Sequence, residues 1–232
     1  MRQNTLNTSV RIWDLPTRLF HWLFAVSVIG AVATVKVGGS WMDWHLPLGV
    51  TALMLLVFRL IWGFTGSRYA RFTNFVRRPS QTIAYLRNKH ATDSPGHNPL
   101  GAWSVLALLL VVGIQAFTGL FTTDEILVQG PLNQFVSGDF ADVMSSIHSF
   151  NEKPLFALVA LHLIAIAIYA FKGKRLVPPM ITGDKSTDGL PVNTPAARDD
   201  VGLRAWGLVL ALVLASIGWW LVDLANSAGM SF

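Results

Sequence analysis

Five long apolar stretches dominate this sequence and limit the folds that are open to it. The hydrocarbon core of a bilayer is about 30 Å thick, so an α-helix needs roughly 20 apolar residues to cross it. Stretches of that length lie at about residues 18–37, 44–64, 102–123, 154–171 and 203–224. Because the backbone polar groups of a segment inside a bilayer must be satisfied internally, each stretch is predicted to be a transmembrane helix. The expected fold is an all-α integral membrane protein.

The composition agrees with a membrane protein and excludes several kinds of site. Hydrophobic residues make up 52% of the 232 residues and charged residues only 13%, which is too apolar for an ordinary soluble domain. The chain has no cysteine, so disulfides, zinc–thiolate sites, iron–sulfur clusters and covalently attached c-type haem are excluded. The formal charge is +5, but the basic residues lie in short segments between apolar stretches, and we predict no nucleic-acid partner.

Basic residues are distributed unequally between the two sides of the predicted helices. Three lie before or at the start of the first span, six lie between the second and third spans, and six surround the connection from the fourth to the fifth. The opposite side has only Lys36 and Lys153. By the positive-inside rule, the amino terminus is cytoplasmic and the carboxyl terminus is outside. The inner segments at residues 65–101 and 172–202 are rich in Pro, Gly and polar residues and are predicted to be loops.

The first span has one alternative interpretation. Arg11 and Arg18 precede it, and Ala31-Val32-Ala33 resembles the cleavage site of a signal peptide. Cleavage there would remove His21, whereas a retained helix gives this histidine a partner.

Four histidines lie within the apolar spans or at their ends: His21, His45, His148 and His162. His148 and His162 are fourteen residues apart, which on an α-helix is a rise of about 21 Å and nearly four full turns, so they share one face at two depths. His45 begins the second span at its outer end, and His21 lies about one turn inside the inner end of the first. This predicts two interhelical pairs, His45 with His148 and His21 with His162, suited to bis-imidazole ligation of iron.

For a single histidine of this kind, a hydrogen bond to a neighbouring helix is the simpler interpretation. Four that form two depth-matched pairs favour a functional role, because ionisable groups inside a span are costly. The other two histidines, His90 and His97, lie in the polar inner segment and are assigned to solvent.

Arg59, Gly49 and Gly119 are candidate contacts for a cofactor between the helices. Arg59 follows His45 by fourteen residues, so it lies on the same face and could pair with a haem propionate. The alternative is that its side chain snorkels to the surface. Gly49 lies one turn from His45 and Gly119 interrupts the third span, where small residues allow close approach either of a macrocycle or of another helix.

Motifs along residues 10–185 resemble the bacterial cytochrome b561 family, which includes the b-type subunits of nickel–iron hydrogenases. The resembling segments are Trp13-Asp14 with Thr17-Arg18-Leu19-Phe20-His21-Trp22; His45 with Gly49 and Arg59-Leu60-Ile61-Trp62-Gly63; Thr118-Gly119; His148 with Leu161-His162; and Pro179-Met180-Ile181-Thr182-Gly183.

The resemblance implies a four-helix transmembrane bundle, at residues 1–185, that holds two b haems. The outer haem would lie between His45 and His148, and the inner haem between His21 and His162. Residues 186–232 would add an inner linker and a fifth transmembrane helix, which the minimal family pattern lacks. The resemblance also implies an electron carrier of the bacterial inner membrane, whose carboxyl terminus, outside by the positive-inside rule, would be periplasmic. It would exchange electrons with quinone or quinol and with a periplasmic redox protein such as a c-type cytochrome or a hydrogenase. The acidic outer segment 122–153 is a candidate docking region, and the alternative is that this polar segment is simply solvated.

Other functions remain open from the sequence alone. The chain could work by itself or as the quinone-reactive membrane anchor of a hydrogenase or formate dehydrogenase. From a different class, it could be a haem-free transporter whose intramembrane His and Arg residues relay protons. No catalytic residue is predicted, and whether the chain is an oxidoreductase subunit or forms a homodimer is left open.

Overall fold

The computed structural model describes residues 9–87, 94–123 and 129–229. His90 and residues 124–128, which belong to the predicted docking segment, lie outside these ranges. The described chain is mostly helical. Its elements are β1 (Ser9–Arg11), α1 (Leu15–Val37), a 3-10 turn (Gly39–Trp44), α2 (His45–Thr65), α3 (Phe72–Phe75), α4 (Pro79–Arg87), α5 (Pro99–Gly119), a second 3-10 turn (Asn133–Phe135), α6 (Gly138–Phe171), α7 (Val177–Thr182), β2 (Asp184–Ser186) and α8 (Val201–Gly229).

Five helices in the described part of the chain, α1, α2, α5, α6 and α8, are long and apolar enough to cross a membrane. Each contains most of one predicted span, so the prediction of an all-α integral membrane protein with five spans is confirmed. The ends differ by several residues, and α5 ends at Gly119 rather than at residue 123. Its last turn tightens, with the Leu120 N–H donating to the Phe117 carbonyl at 3.2 Å. Such a turn depends on backbone hydrogen bonds and not on hydropathy.

The fourth predicted span is part of a much longer helix. α6 has 34 residues, or about 51 Å at 1.5 Å per residue, and it begins at Gly138 rather than at residue 154. Pro154 lies inside it. A proline removes one backbone hydrogen bond, but it does not necessarily end a membrane helix. Residues 138–153, the first half of the helix, are more polar, so hydropathy alone did not predict that they belong to it. His148 and His162 lie on one continuous helix, as predicted.

The two inner connections contain short regular elements, so the prediction that they are loops was wrong in part. Helices α3 and α4 lie between α2 and α5, and α7 and β2 follow α6. Strand β2 pairs antiparallel with β1, with Val10 opposite Lys185. Helices of four to nine residues have weak periodicity, and the pairing of two distant three-residue strands has no local sequence pattern.

The chain divides into two compact units, each built from parts of the long helices. The first unit comprises Met1–Leu19, Ile61–Leu106 and Leu161–Gly207. The second unit comprises Phe20–Leu60, Ala107–Ala160 and Leu208–Phe232.

The first unit is organised around Asp14, which is fully buried. Its Oδ1 accepts hydrogen bonds from the Thr17 N–H at 2.7 Å and from Trp62 Nε1 at 3.2 Å, and its Oδ2 accepts one from the Ser67 hydroxyl. The bond to Thr17 caps the amino terminus of α1. A buried carboxylate requires such donors, and these join the start of α1 to the end of α2.

Arg11 links the amino-terminal strand to the residues before α8. Its guanidinium donates from Nε to Asp184 at 2.6 Å and from Nη1 to Asp199 at 2.6 Å. The hydrogen bond to Asp184 raises the pKa of Arg11, and the bond to Asp199 acts in the same direction. Asp199 also accepts from Arg204 Nε at 3.0 Å. The first unit therefore holds the start of α8 beside the start of α1.

In the second unit, α8 packs against α2. A Cβ added at Gly218 would lie 3.0 Å from Met54 Cγ, so this glycine allows a close approach of the two helices. Nearby, Leu221 forms a buried apolar cluster with Val50 and Leu120. The fifth span is thus part of the packed protein rather than a separate anchor.

Candidate cofactor site

A cavity of about 360 Å³ lies within the second unit, between α1, α2, α5 and α6. Its wall is largely apolar, but it includes both His45 and His148. Gly49 and Gly119 also line it. The structure therefore brings together four of the residues that the sequence singled out for one cofactor.

The imidazole rings of His45 and His148 approach each other at this cavity. Their centroids are 6.3 Å apart and their planes cross at 86°. If both rings bound one metal atom at about 2 Å, with about 1 Å from each nitrogen to its ring centre, the centroids would be roughly 6 Å apart. The observed separation matches the one expected for a single metal atom held by both imidazoles.

Each imidazole is oriented by a backbone carbonyl. His45 Nδ1 lies 2.8 Å from the carbonyl oxygen of Ala31, and His148 Nδ1 lies 2.9 Å from that of Gln115. A carbonyl oxygen can only accept, so Nδ1 carries the proton in both rings and donates it. In a neutral imidazole this tautomer leaves Nε2 unprotonated and available to a metal.

The glycines of the cavity leave space beside the histidines. A Cβ added at Gly119 would lie 3.1 Å from His148 Cε1, so a larger residue would press on the ring. A Cβ added at Gly49 would meet nothing within 4 Å. A flat macrocycle bound through both Nε2 atoms needs such walls without side chains. The residues present fit a haem with two histidine ligands.

One protein family matches most of the chain. Its sequence model, described as prokaryotic cytochrome b561, covers residues 12–183, which include all four candidate histidines. The chain belongs to the prokaryotic cytochrome b561 family. No match was found among curated proteins or among solved structures.

Membership in the cytochrome b561 family indicates a multi-pass membrane protein that binds b-type haem and transfers electrons. A b-type haem has no covalent bond to cysteine and relies on its axial ligands, in agreement with a chain that has no cysteine. The matched range ends at residue 183, so α8 lies beyond it.

His21, His162 and Arg59 are the other residues predicted for a cytochrome b561 haem site. His21 is half-buried in α1, and His162 is half-buried in α6. They belong to different compact units, and their pairing stays a prediction. Arg59 is only 3% exposed, which contradicts the alternative that its side chain snorkels to the surface.

Gln115 and Asn151 shape the surroundings of His148 and were not predicted. Gln115 provides the carbonyl that accepts the Nδ1 proton, and it lines the cavity. Asn151 is 6% exposed, and its Nδ2 donates to Gln115 Oε1 at 2.8 Å. The sequence did contain a signal, because Asn151 follows His148 by three residues and so shares its helix face. Gln115 is likewise a polar residue inside an apolar span.

A charged pair borders the same cavity. Lys36 forms a salt bridge with Glu152, and both residues line the cavity. The Lys36 ammonium also lies 5.7 Å from the ring centroid of Phe156, within the range of a cation–π contact. No group of three or more His, Asp or Glu side chains in the described residues is arranged to hold a metal ion. Among the residues that line the cavity, the two imidazoles are the groups suited to hold a haem iron.

His97 does not lie where the sequence placed it. It was assigned to solvent, but its ring packs in the first unit against Trp13, with centroids 4.8 Å apart, and against Phe75, with centroids 4.6 Å apart. The polarity of the residues around His97 did not reveal that Trp13, before α1, and Phe75, in α3, pack against its ring.

Proposed function

We propose that this protein is a di-haem b-type cytochrome that transfers electrons across a bacterial inner membrane, between the quinone pool and a periplasmic redox partner. The observation that carries the proposal is the arrangement of His45 and His148, whose ring centroids are 6.3 Å apart and whose Nδ1 protons are both bound by backbone carbonyls. Two neutral imidazoles with unprotonated Nε2 atoms are suited to the axial positions of a haem iron.

A haem with two imidazole ligands supplies reversible one-electron transfer and has no open coordination position. His45 and His148 would hold one such group, here called the outer haem. The four helices around the cavity would bury it and exclude water. The carbonyls of Ala31 and Gln115 orient the two imidazoles and increase their basicity, which favours the oxidised iron.

His21 and His162 would hold a second group, here called the inner haem. In support of this, His162 follows His148 on the continuous helix α6, so the two project from one face about 21 Å apart along the axis. Arg59 follows His45 on α2 by the same interval and is buried, where a guanidinium is suited to a bidentate bond with a haem propionate. Residues 1–185 would then form the di-haem core, and residues 186–232 would add a linker and the fifth helix.

The proposed orientation has a cytoplasmic amino terminus and a periplasmic carboxyl terminus. Its support is the concentration of basic residues in the connections on one side of the spans. Asp139 and Asp142 are exposed at the start of α6, on the opposite side. A periplasmic redox protein with a basic docking face would be complementary to them.

Absorption spectroscopy of the purified chain tests this function. We expect a reduced-minus-oxidised spectrum typical of b-type haem and about two haems per chain. In folded variants, His148→Ala should remove mainly the outer haem and His21→Ala mainly the inner haem. A haem-free protein, or equal loss of both haems in each variant, would contradict the proposal.

A membrane anchor of a hydrogenase or formate dehydrogenase would contain the same two haems. Quinol oxidation by the isolated chain with a c-type cytochrome as acceptor would support an independent carrier. Activity that appears only with a copurified catalytic subunit would support the anchor. A proton-relaying transporter would contain no haem, and the same absorption spectrum would reveal it.

A further inference from the structure

Asn151 joins α6 to α5 beside the proposed outer haem. It follows His148 by one helical turn and is only 6% exposed. Its Nδ2 donates to the Val111 carbonyl at 2.9 Å and to Gln115 Oε1 at 2.8 Å. The side-chain amide of Asn151 is thus hydrogen-bonded to two residues that lie one turn apart on α5.

Gln115 is shared between Asn151 and the haem ligand. Its side-chain oxygen accepts from Asn151, while its backbone carbonyl accepts from His148 Nδ1 at 2.9 Å. The Thr118 hydroxyl lies 3.2 Å from the same Nδ1. Because His148 and Asn151 are on one face of α6 and both bind Gln115, a shift of α6 along α5 would change both hydrogen bonds together.

We propose that Asn151 is a positioning residue that sets the reduction potential of the outer haem, an inference that rests on the function proposed above. Its two hydrogen bonds hold α6 at the register in which the Gln115 carbonyl accepts the His148 Nδ1 proton. That hydrogen bond makes the imidazole a more basic ligand, which stabilises ferric iron more than ferrous iron. Without Asn151, the bond lengthens and the outer haem becomes easier to reduce.

A purely structural role for Asn151 makes a different prediction. A buried asparagine can simply hold two membrane helices together. In that case its removal lowers the stability of the protein and leaves the potentials of both haems unchanged. The positioning role requires a change that is confined to the haem bound by His148.

Two substitutions and one matched control separate these roles. Asn151→Leu keeps the number of side-chain heavy atoms and their branching and removes both donated hydrogen bonds. Gln115→Met removes the side-chain acceptor and keeps the backbone carbonyl. Asn133→Leu is the control, because Asn133 lies in the same unit and its Nδ2 donates to the Phe121 carbonyl at 2.8 Å, away from His148.

The readouts are the midpoint potentials of both haems and the g values of the ferric outer haem in electron paramagnetic resonance. The outer haem is identified as the one that is lost in His45→Ala. We expect an upward shift of its potential and a changed largest g value in Asn151→Leu, with a smaller shift of the same sign in Gln115→Met. The double variant should shift no further than Asn151→Leu alone, because both residues act through one hydrogen bond. The inner haem and the Asn133→Leu protein should be unaffected.

Unchanged outer potential and g values in a folded Asn151→Leu protein would overturn the proposal, as would an equal shift in Asn133→Leu. If Asn151→Leu does not fold, the midpoint potential of the outer haem in Gln115→Met is the deciding measurement. An upward shift supports the proposal, and an unchanged value overturns it. Failure of the proposed function itself is recognised separately, as a His148→Ala protein with the haem content of the wild type.

Discussion

His45 and His148 present imidazole planes that cross at 86°, with ring centroids 6.3 Å apart. The angle follows from the carbonyls to which the rings are bound. Ala31 of α1 fixes the ring of His45, and Gln115 of α5 fixes that of His148. The two rings are thus oriented by two different helices. A rotation of either ring would break its hydrogen bond to the backbone carbonyl.

The crossed planes predict the electronic signature of the proposed outer haem. Perpendicular imidazoles interact almost equally with the two iron orbitals that point out of the haem plane, so the ferric low-spin signal should be highly anisotropic, with an unusually large g value. Low-temperature electron paramagnetic resonance measures this directly, and loss of the signal in His45→Ala would assign it to the outer haem. A rhombic signal typical of parallel imidazoles would contradict the ring geometry.

Substitutions of Gly119 test the space beside His148. A Cβ there would lie 3.1 Å from His148 Cε1, so the ring must move to accommodate it. We expect reduced occupancy of the outer haem in Gly119→Ala and loss of about one haem per chain in Gly119→Val, since overpacking forces side chains out of their positions. The haem-to-protein ratio is the measurement. Gly138→Ala, where a Cβ meets nothing within 4 Å, should retain full occupancy, and an equal ratio in all three variants would refute the expectation.

Removal of the Asp14 carboxylate should destabilise the protein strongly. Asp14→Ala removes the cap of α1 and leaves the donors of Trp62 and Ser67 buried, which together should cost about 3 kcal/mol. Unfolding of the detergent-purified protein, followed by tryptophan fluorescence, measures the loss. Asp139→Ala is the control, because Asp139 is an exposed carboxylate in the first turn of α6. Similar stabilities of the two variants would show that the buried network contributes little.

The carboxylates before α8 predict sensitivity to acid. A hydrogen bond from Arg198 is the main cause that lowers the pKa of Asp200 to about 2. Burial alone would raise the pKa of Asp199, but hydrogen bonds from Arg204 and Arg11 outweigh it, so this pKa is lowered as well. A carboxyl with a lower pKa in the folded state stabilises the fold above its unfolded pKa, near 3.8, and loses that contribution as the pH falls towards the folded value.

We therefore expect the melting temperature to change little between about pH 7 and 5 and to fall between about pH 4 and 2. The variant with both Asp199→Asn and Asp200→Asn should start from a lower melting temperature and lose less of it in acid. Asp188→Asn, in the same polar segment, should keep the slope of the wild type. A double variant whose acid-induced loss equals that of the wild type would rule out these carboxylates as the cause.

Local sequence properties were sufficient for some elements and insufficient for others. The five spans and the presence of His148 and His162 on one helix depend on apolar length and on the 3.6-residue period, which can be read from neighbouring residues. The start of α6 at Gly138 and the pairing of β1 with β2 were not predicted. Both involve short or polar segments whose conformation is stabilised by contacts with distant parts of the chain.

The sequence by itself determined the membrane class, the number of spans and which side chains could bind a metal, because hydropathy, length and residue chemistry are sufficient for these. Only the tertiary structure decided which groups surround them. It paired the imidazoles with the carbonyls of Ala31 and Gln115, placed Asn151 on Gln115, and packed His97 against aromatic rings. These contacts depend on the rotation and register of one helix against another, which the packing of many side chains determines together and which no local pattern encodes.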